Sequence, residues 1–323
     1  MSRPVVVTGA AGFAGSHLVE RLDRALPPDQ PLHAWRRPEG SPASRGSDRR
    51  SWFDVDLLDQ GSVAAEIERT RPAIVYHCAG SPHVASSWSD TLTPLRSNVL
   101  TTESLLLAIE QHSPDTRLFV PSSALVYEAS ATAIGEEARL VPRTPYGVSK
   151  LAQEILAWRA YHDRRLPVCL ARPFNHVGPR QDASFVTAAF ARQIALIESG
   201  QAPPVIRVGN LEPRRDLTDV RDTVRAYQVI AESGVPGRVY NVCTGQAQRV
   251  GDLLDQLLSL ARVHVEVVVD PGRLRPSDNP LLVGDGSRLR DELGWRAEIP
   301  IARTLADLLD HWRRQVSGAG VTS

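Results

Sequence analysis

Tyr146 and Lys150 stand four residues apart in the stretch Arg143-Thr144-Pro145-Tyr146-Gly147-Val148-Ser149-Lys150-Leu151. Pro145 suits the first turn of a helix, and the residues from Lys150 to Glu154 are good helix formers. On such a helix the phenol and the ammonium leave from one face. A phenol is a weak acid, with an ordinary pKa of about 10. A neighbouring ammonium favours phenolate, so the pair is suited to exchanging a proton with a substrate oxygen near neutrality. A tyrosine and a lysine at this spacing also occur on ordinary exposed helices, so the meaning of the pair depends on the rest of the chain.

Three other stretches supply that context. Val5-Val6-Val7-Thr8 reads as a buried strand, Gly9-Ala10-Ala11-Gly12-Phe13-Ala14-Gly15 as a glycine-rich turn, and Ser16 to Leu26 as a helix. Strand, turn and helix in this order are what a dinucleotide fingerprint requires. Gly9, Gly12 and Gly15 permit a tight turn, close approach of backbone to a pyrophosphate, and close helix packing, with Phe13 and Ala14 in the same turn. The amides of the helix N-terminus then meet the phosphate charge. A second strand, Pro31 to Trp35, ends in Arg36 and Arg37 instead of the carboxylate that would accept ribose hydroxyls, and two guanidinium groups suit a 2′-phosphate. This favours NADP(H) over NAD, although Pro38 to Arg50 also reads as a basic solvated loop. A third strand, Trp52 to Val55, runs to Asp56 and Leu57, which are suited to holding an adenine ring. An almost wholly apolar fourth strand, Ala73 to Cys78, leads into Ala79 and Gly80, small residues that let backbone lie against a cofactor. Asn98 lies near the start of a long helical segment, Thr93 to Gln111. A fifth strand, Arg117 to Val120, closes in Pro121-Ser122-Ser123; pairing is expected to stop at the proline, leaving both serines at the carboxyl end of a parallel sheet, where such folds bind ligands. Serines there are often mere turn formers. With Tyr146 and Lys150 on the next helix, Ser123 completes a proton-transfer site.

The elements that must position these residues alternate strand and helix through a sixth strand, Leu166 to Ala171, and then become irregular. The reading is an α/β chain: a Rossmann-like, doubly wound parallel sheet with a smaller C-terminal α/β substrate-binding domain. The dinucleotide-binding part is residues 1–173 with a return segment, 217–242. Residues 174–216 and 243–323 form the second part, closing in two short helices. At 323 residues the chain can bury a large core. Its 37 basic and 37 acidic residues give no overall pull toward nucleic acid or membrane. Cys78, Cys169 and Cys243 are far apart, with neither a disulfide nor a metal-binding spacing, so no metal is expected and the thiols read as reduced ones in a cytoplasmic protein. The first residues lack the pattern of a signal peptide, and no apolar run is long enough to span a bilayer.

Thr8-Gly9-x-x-Gly12-Phe13-x-Gly15, Ser123 and Tyr146-x-x-x-Lys150 resemble, in order, the cofactor and catalytic motifs of the extended short-chain dehydrogenases/reductases. Arg172-Pro173-Phe174-Asn175-His176-x-Gly178-Pro179, Val208-Gly209-Asn210-Leu211, Arg215-Asp216-x-Thr218-Asp219 and Arg273-Leu274-Arg275-Pro276 resemble the GDP-4-keto-6-deoxy-D-mannose reductases within them. The likeness runs from about Val5 to Trp312. It implies Tyr146 as proton donor, Lys150 as the ligand of the nicotinamide ribose, and Ser123, with Ser122 beside it, at the substrate's C4 oxygen. It further implies Asn175, Arg215 and Arg275 at the diphosphate of a nucleotide sugar, a role that bidentate guanidinium contacts suit. The related 4,6-dehydratases carry a carboxylate where this chain has Leu125, preceded by Ala124, and neither side chain can exchange a proton. The implied activity is therefore NADPH-dependent reduction of a nucleotide-linked 4-keto-6-deoxy sugar, GDP-4-keto-6-deoxy-D-mannose to GDP-D-rhamnose, in a homodimer joined through Thr93–Gln111 and Pro145–His162. The alternatives are a 4-epimerase, which uses the same three residues with a retained cofactor, and a silent NADP-binding scaffold, which has no need of all three.

Overall fold

The computed structural model describes residues 2–38, 50–82, 84, 86–273 and 279–319. The first half alternates strand and helix: β1 (Val5–Thr8), α1 (Phe13–Ala25), β2 (Leu32–Arg36), β3 (Arg50–Asp54), α2 (Gln60–Thr70) and β4 (Ile74–His77). A helical turn, α3 (Leu92–Pro94), a π-helical segment (Leu95–Leu100) and α4 (Thr101–His112) follow, then β5 (Arg117–Pro121), α5 (Pro145–Arg164) and β6 (Val168–Pro173). The helix boundaries have local causes. Asp59 accepts from the Gly61 and Ser62 amides to start α2, and Thr144 accepts from Gly147 before Pro145 opens α5.

The second half runs through β7 (Asn175–Val177), α6 (Val186–Glu198), β8 (Val205–Val208), β9 (Arg214–Asp219), α7 (Val220–Ser233) and β10 (Val239–Val242). It ends with β11 (Ala247–Arg249), α8 (Val250–Ser259), β12 (Glu266–Val269), β13 (Leu281–Leu282), α9 (Ser287–Leu293) and α10 (Ile301–Ala319). Only one of the two closing helices is short. α10 spans 19 residues because its apolar stripe, Leu305, Leu308 and Leu309, packs into the core of the small lobe along most of its length. The segment from Thr93 is not one regular helix either, since Thr101 and Thr102 bond back to the carbonyls of Ser97 and Asn98 across a π-helical turn.

Seven strands form one parallel sheet in the order β10-β6-β5-β4-β1-β2-β3. Alternate side chains of β1 feed two cores: Val5 and Val7 pack with Leu18 and Leu22 of α1 and Tyr227 and Ile230 of α7, while Val6 faces Ile67, Leu105 and Ala157. The sheet is therefore covered on both faces, a Rossmann-like doubly wound arrangement. The order reverses direction between β1 and β4, which leaves a crevice at the carboxyl ends of those strands. A smaller lobe carries β11, β9, β13 and β7 in one sheet and β8 with β12 in another. Two buried carboxylates at β9 brace the segments packed around it. Asp216 accepts from Thr244 and Gly245, and Asp219 caps α7 while accepting from Thr304 of α10.

Candidate active site

The glycine turn has the shape that a bound diphosphate needs. Gly9 sits at φ +62, and a Cβ there would stand 2.6 Å from the Ala79 nitrogen. A Cβ on Gly15 would collide with the Gly9 carbonyl, so α1 can start close against the turn only with glycine at that place. Gly12 caps α1 with no side-chain bond, and no acid lies in the first helical turn. The first amides of the helix are therefore open to an anion. A cavity of about 210 Å³ lies beside the turn, lined by Ala10, Gly12, Phe13, Arg50, Trp52 and Arg180. These features fit a dinucleotide.

Of the residues assigned to the adenosine end, Arg36 donates to Asp54 at 2.6 Å and lies over the Trp52 ring, while Arg37 is exposed. Leu57 is buried; Asp56 accepts from the Leu58 amide and faces solvent. Cys78 and Ala79, just after β4, pack against Gly9 of the turn, and Gly80 follows them. Gly80 has φ +154 with Asn98 directly behind it. Asn98 is wholly buried: its carbonyl accepts from Ser81 and its amide donates to Ser149, whose hydroxyl bonds the Tyr146 carbonyl. It acts as a strut between the β4 loop and α5.

The three residues assigned to proton transfer come together. Ser123 caps the short turn Ala124–Val126 and hydrogen-bonds the Tyr146 phenol. Lys150, one helical turn on, donates to the Pro121 carbonyl and to Gln153, each at 2.8 Å. Pro121 still pairs with β6, so the sheet ends at Ser122, whose amide donates to Ala171. Electrostatics correct one expectation. The phenol is not drawn down; burial pushes it up to about 12, with the Ser123 bond opposing, while burial pulls Lys150 down to about 8. A half-buried phenol that keeps its proton across the physiological range is a donor, not a resting base.

The residues assigned to the nucleotide sugar are less tightly gathered. Asn175 is exposed on β7, and half-buried Arg215 donates to the carbonyls of Arg214 and Pro280. Arg275 falls outside the described residues. Leu125 is half-buried in the turn after Ser123, with Ala124 beside it. Several contributors carry no local sequence signal. Thr8, His77, Thr102 and Gln153 meet behind Lys150 only once β1, β4, α4 and α5 are assembled. Arg180, which pairs with Glu20, and His176, whose ring stacks on Phe13 at 5.6 Å, reach the glycine turn from the second half of the chain. Among the described residues no cluster could hold a metal ion, and no helix is long and apolar enough to cross a membrane.

Fold and site together define an extended short-chain dehydrogenase/reductase. Residues 6–308 match the family model described as GDP-mannose 4,6 dehydratase, and the chain belongs to that family. It is 36% identical over 319 residues to the GDP-6-deoxy-D-mannose reductase of Pseudomonas aeruginosa, covering 98% of this chain and 99% of that one. A solved structure, RMD from Pseudomonas aeruginosa complexed with NADPH, superposes with a TM-score of 0.84 at 34% identity, covering 97% and 100% of the two chains. UDP-glucose 4-epimerase 4 of Oryza sativa is 27% identical over 95% of this chain and 89% of its own.

Proposed function

We propose that the protein reduces the C4 ketone of a nucleotide-linked 4-keto-6-deoxy sugar with NADPH, converting GDP-4-keto-6-deoxy-D-mannose to GDP-D-rhamnose. The observation that carries this reading is the Ser123–Tyr146–Lys150 cluster at the sheet's carboxyl edge with Ala124 and Leu125, not an acid, beside it. When bound, NADPH supplies the hydride. Gly9, Gly12, Gly15 and the first amides of α1 hold its diphosphate, and Lys150 binds the nicotinamide ribose. Ser123 fixes the substrate carbonyl, and Tyr146 gives its proton to the oxygen as charge develops there. Asn175, Arg215 and Arg275 hold the substrate's diphosphate. In this reading residues 1–173 and 217–242 serve the cofactor, and 174–216 and 243–323 serve the sugar nucleotide. The protein works in the cytoplasm as a homodimer through α4 and α5, an arrangement supported by Leu100, Leu107, Val148, Ile155 and Trp158, large apolar side chains left exposed on and beside these helices.

The test is NADPH oxidation with a panel of GDP-, dTDP-, UDP- and CDP-linked 4-keto-6-deoxy sugars, with turnover expected on the GDP sugar. Supplied instead with GDP-mannose and NADP⁺, the protein should leave it intact, because no side chain at Ala124 or Leu125 can take part in the elimination. Mass spectrometry showing loss of water from GDP-mannose would overturn the assignment.

Cofactor choice should rest on Arg36 and Arg37. Losing a charge-assisted contact to phosphate costs about 1.5–3 kcal/mol. The Arg36→Ala, Arg37→Ala protein should therefore lose about 10- to 100-fold in affinity for NADPH while NADH affinity stays near its starting value. Fluorescence titration of both dinucleotides measures this; equal affinities in the native protein would remove the basis for the assignment.

A further inference from the structure

Lys150 is the single lysine of the 323 residues; the other basic side chains are arginines and histidines. Its ammonium ends a chain of buried hydrogen bonds that begins at the glycine turn. The Ala79 amide donates to Thr8 Oγ1, leaving the Thr8 hydroxyl proton for His77 Nδ1 at 2.8 Å. Thr102 spends its own proton on the Asn98 carbonyl at 2.6 Å. It must then accept from its two other partners, His77 Nε2 at 3.0 Å and Gln153 Nε2 at 2.8 Å. That fixes the histidine as the Nε2–H tautomer and fixes the orientation of the Gln153 amide. The amide oxygen faces Lys150 Nζ at 2.8 Å; a flipped amide would set an NH₂ group against an ammonium. Thr8, His77, Thr102 and Gln153 have no solvent exposure, so none of these bonds can be exchanged for water.

We infer that Gln153 is a positioning residue for the proposed reduction: its carbonyl, aimed by Thr102 and His77, holds the Lys150 ammonium charged and in place. The Pro121 carbonyl and Gln153 take two of the three ammonium protons and leave one N–H for the site. The inference rests on the reading of Lys150 given above, but it can be measured without any substrate. The titratable groups nearest Lys150 are His77 at the end of β4, Cys78 just after it, and Tyr146 one turn back on its own helix. The strand-end groups of β5, Pro121 and Ser122, and Thr102 of α4 carry no charge. Burial pushes His77 down to about 3 and both Cys78 and Tyr146 up to about 12, so between pH 5 and 10 only Lys150 titrates within this cluster.

The experiment is NMR titration of protein labelled at the lysine Cε carbon, which gives one resonance, in the native chain and in Gln153→Leu and Gln153→Glu. The native midpoint should lie near pH 8. Removing a charge-assisted acceptor should lower it by about one pH unit in Gln153→Leu, and the added carboxylate in Gln153→Glu should raise it. The charged lysine is lost as pH rises through this midpoint, so the alkaline limb of kcat/KM for 4-keto sugar reduction should move the same way in each variant. A merely structural glutamine would change the melting temperature and leave the midpoint where it was. An unshifted midpoint in folded Gln153→Leu would overturn the inference; if that variant does not fold, an unshifted midpoint in Gln153→Glu does so. Shifted midpoints in a protein with no reductase activity would uphold the role of Gln153 and sink the proposed function instead.

Discussion

Tyr146→Phe should turn over the 4-keto sugar about 10²–10⁴-fold more slowly than the native protein while binding NADPH and melting almost unchanged. Reduction of a ketone leaves negative charge on its oxygen, and that oxygen must receive a proton from a group already within hydrogen-bond reach. The phenol meets both requirements. It is bonded to Ser123, which in the proposed reading holds the same substrate oxygen, and burial holds its pKa at about 12, so it arrives protonated. Phenylalanine removes only the hydroxyl. The bond from the Ser149 hydroxyl to the Tyr146 carbonyl and the cap at Thr144 are untouched, so α5 and the Lys150 ammonium stay where they are. Lys150→Met, in contrast, should damage turnover and cofactor binding together, because the proposed reading gives one ammonium both tasks. Single-turnover rates beside fluorescence titrations separate the two effects. A Tyr146→Phe protein with native kcat would mean that the proton comes from another group and that the site is wrongly drawn.

What could be read from the sequence was whatever is written locally. The strand, glycine turn and helix at Val5 to Leu26 are contiguous, and each glycine has a stereochemical reason visible in the string. The same holds for Pro145 opening α5 and for the i, i+4 spacing of Tyr146 and Lys150. The long-range partners were not legible. His77 sits in an apolar strand with nothing to mark its ring as a link between Thr8 and Thr102, and Gln153 looks like one more helix former. The phenol's pKa went the wrong way for a related reason. Spacing shows that an ammonium is one turn away, but it does not show that the ammonium is turned toward Pro121 and Gln153 while the phenol loses water. Helix lengths at the chain's end were underestimated because α10 draws its stability from packing against α6 and α8, which local propensity does not register.

Gly15→Ala should weaken NADPH binding by at least about 100-fold in a protein that still folds. Gly15 is buried at the start of α1, and an added methyl group would run into the Gly9 carbonyl and crowd Ala10 Cα at 3.2 Å. Both neighbours are backbone atoms, so no side chain can swing aside. Gly9 cannot retreat either, because it is already packed against Ala79 and Cys78 of the adjacent strand end. The strain is relieved only by tilting α1 away from the turn, which swings the open amides after Gly12 off the position proposed for the diphosphate. Losing two charge-assisted bonds at about 1.5–3 kcal/mol each corresponds to roughly 10²–10⁴-fold in affinity. The core beneath α1, built on Leu18 and Leu22, keeps the helix itself folded. Gly135→Ala is the matched control. A Cβ there meets nothing within 4 Å, so both affinity and far-UV circular dichroism should match the native protein. The comparison is a fluorescence titration with NADPH for the two variants, each checked for native circular dichroism. If folded Gly15→Ala bound NADPH as tightly as Gly135→Ala, the diphosphate would not be held at this turn.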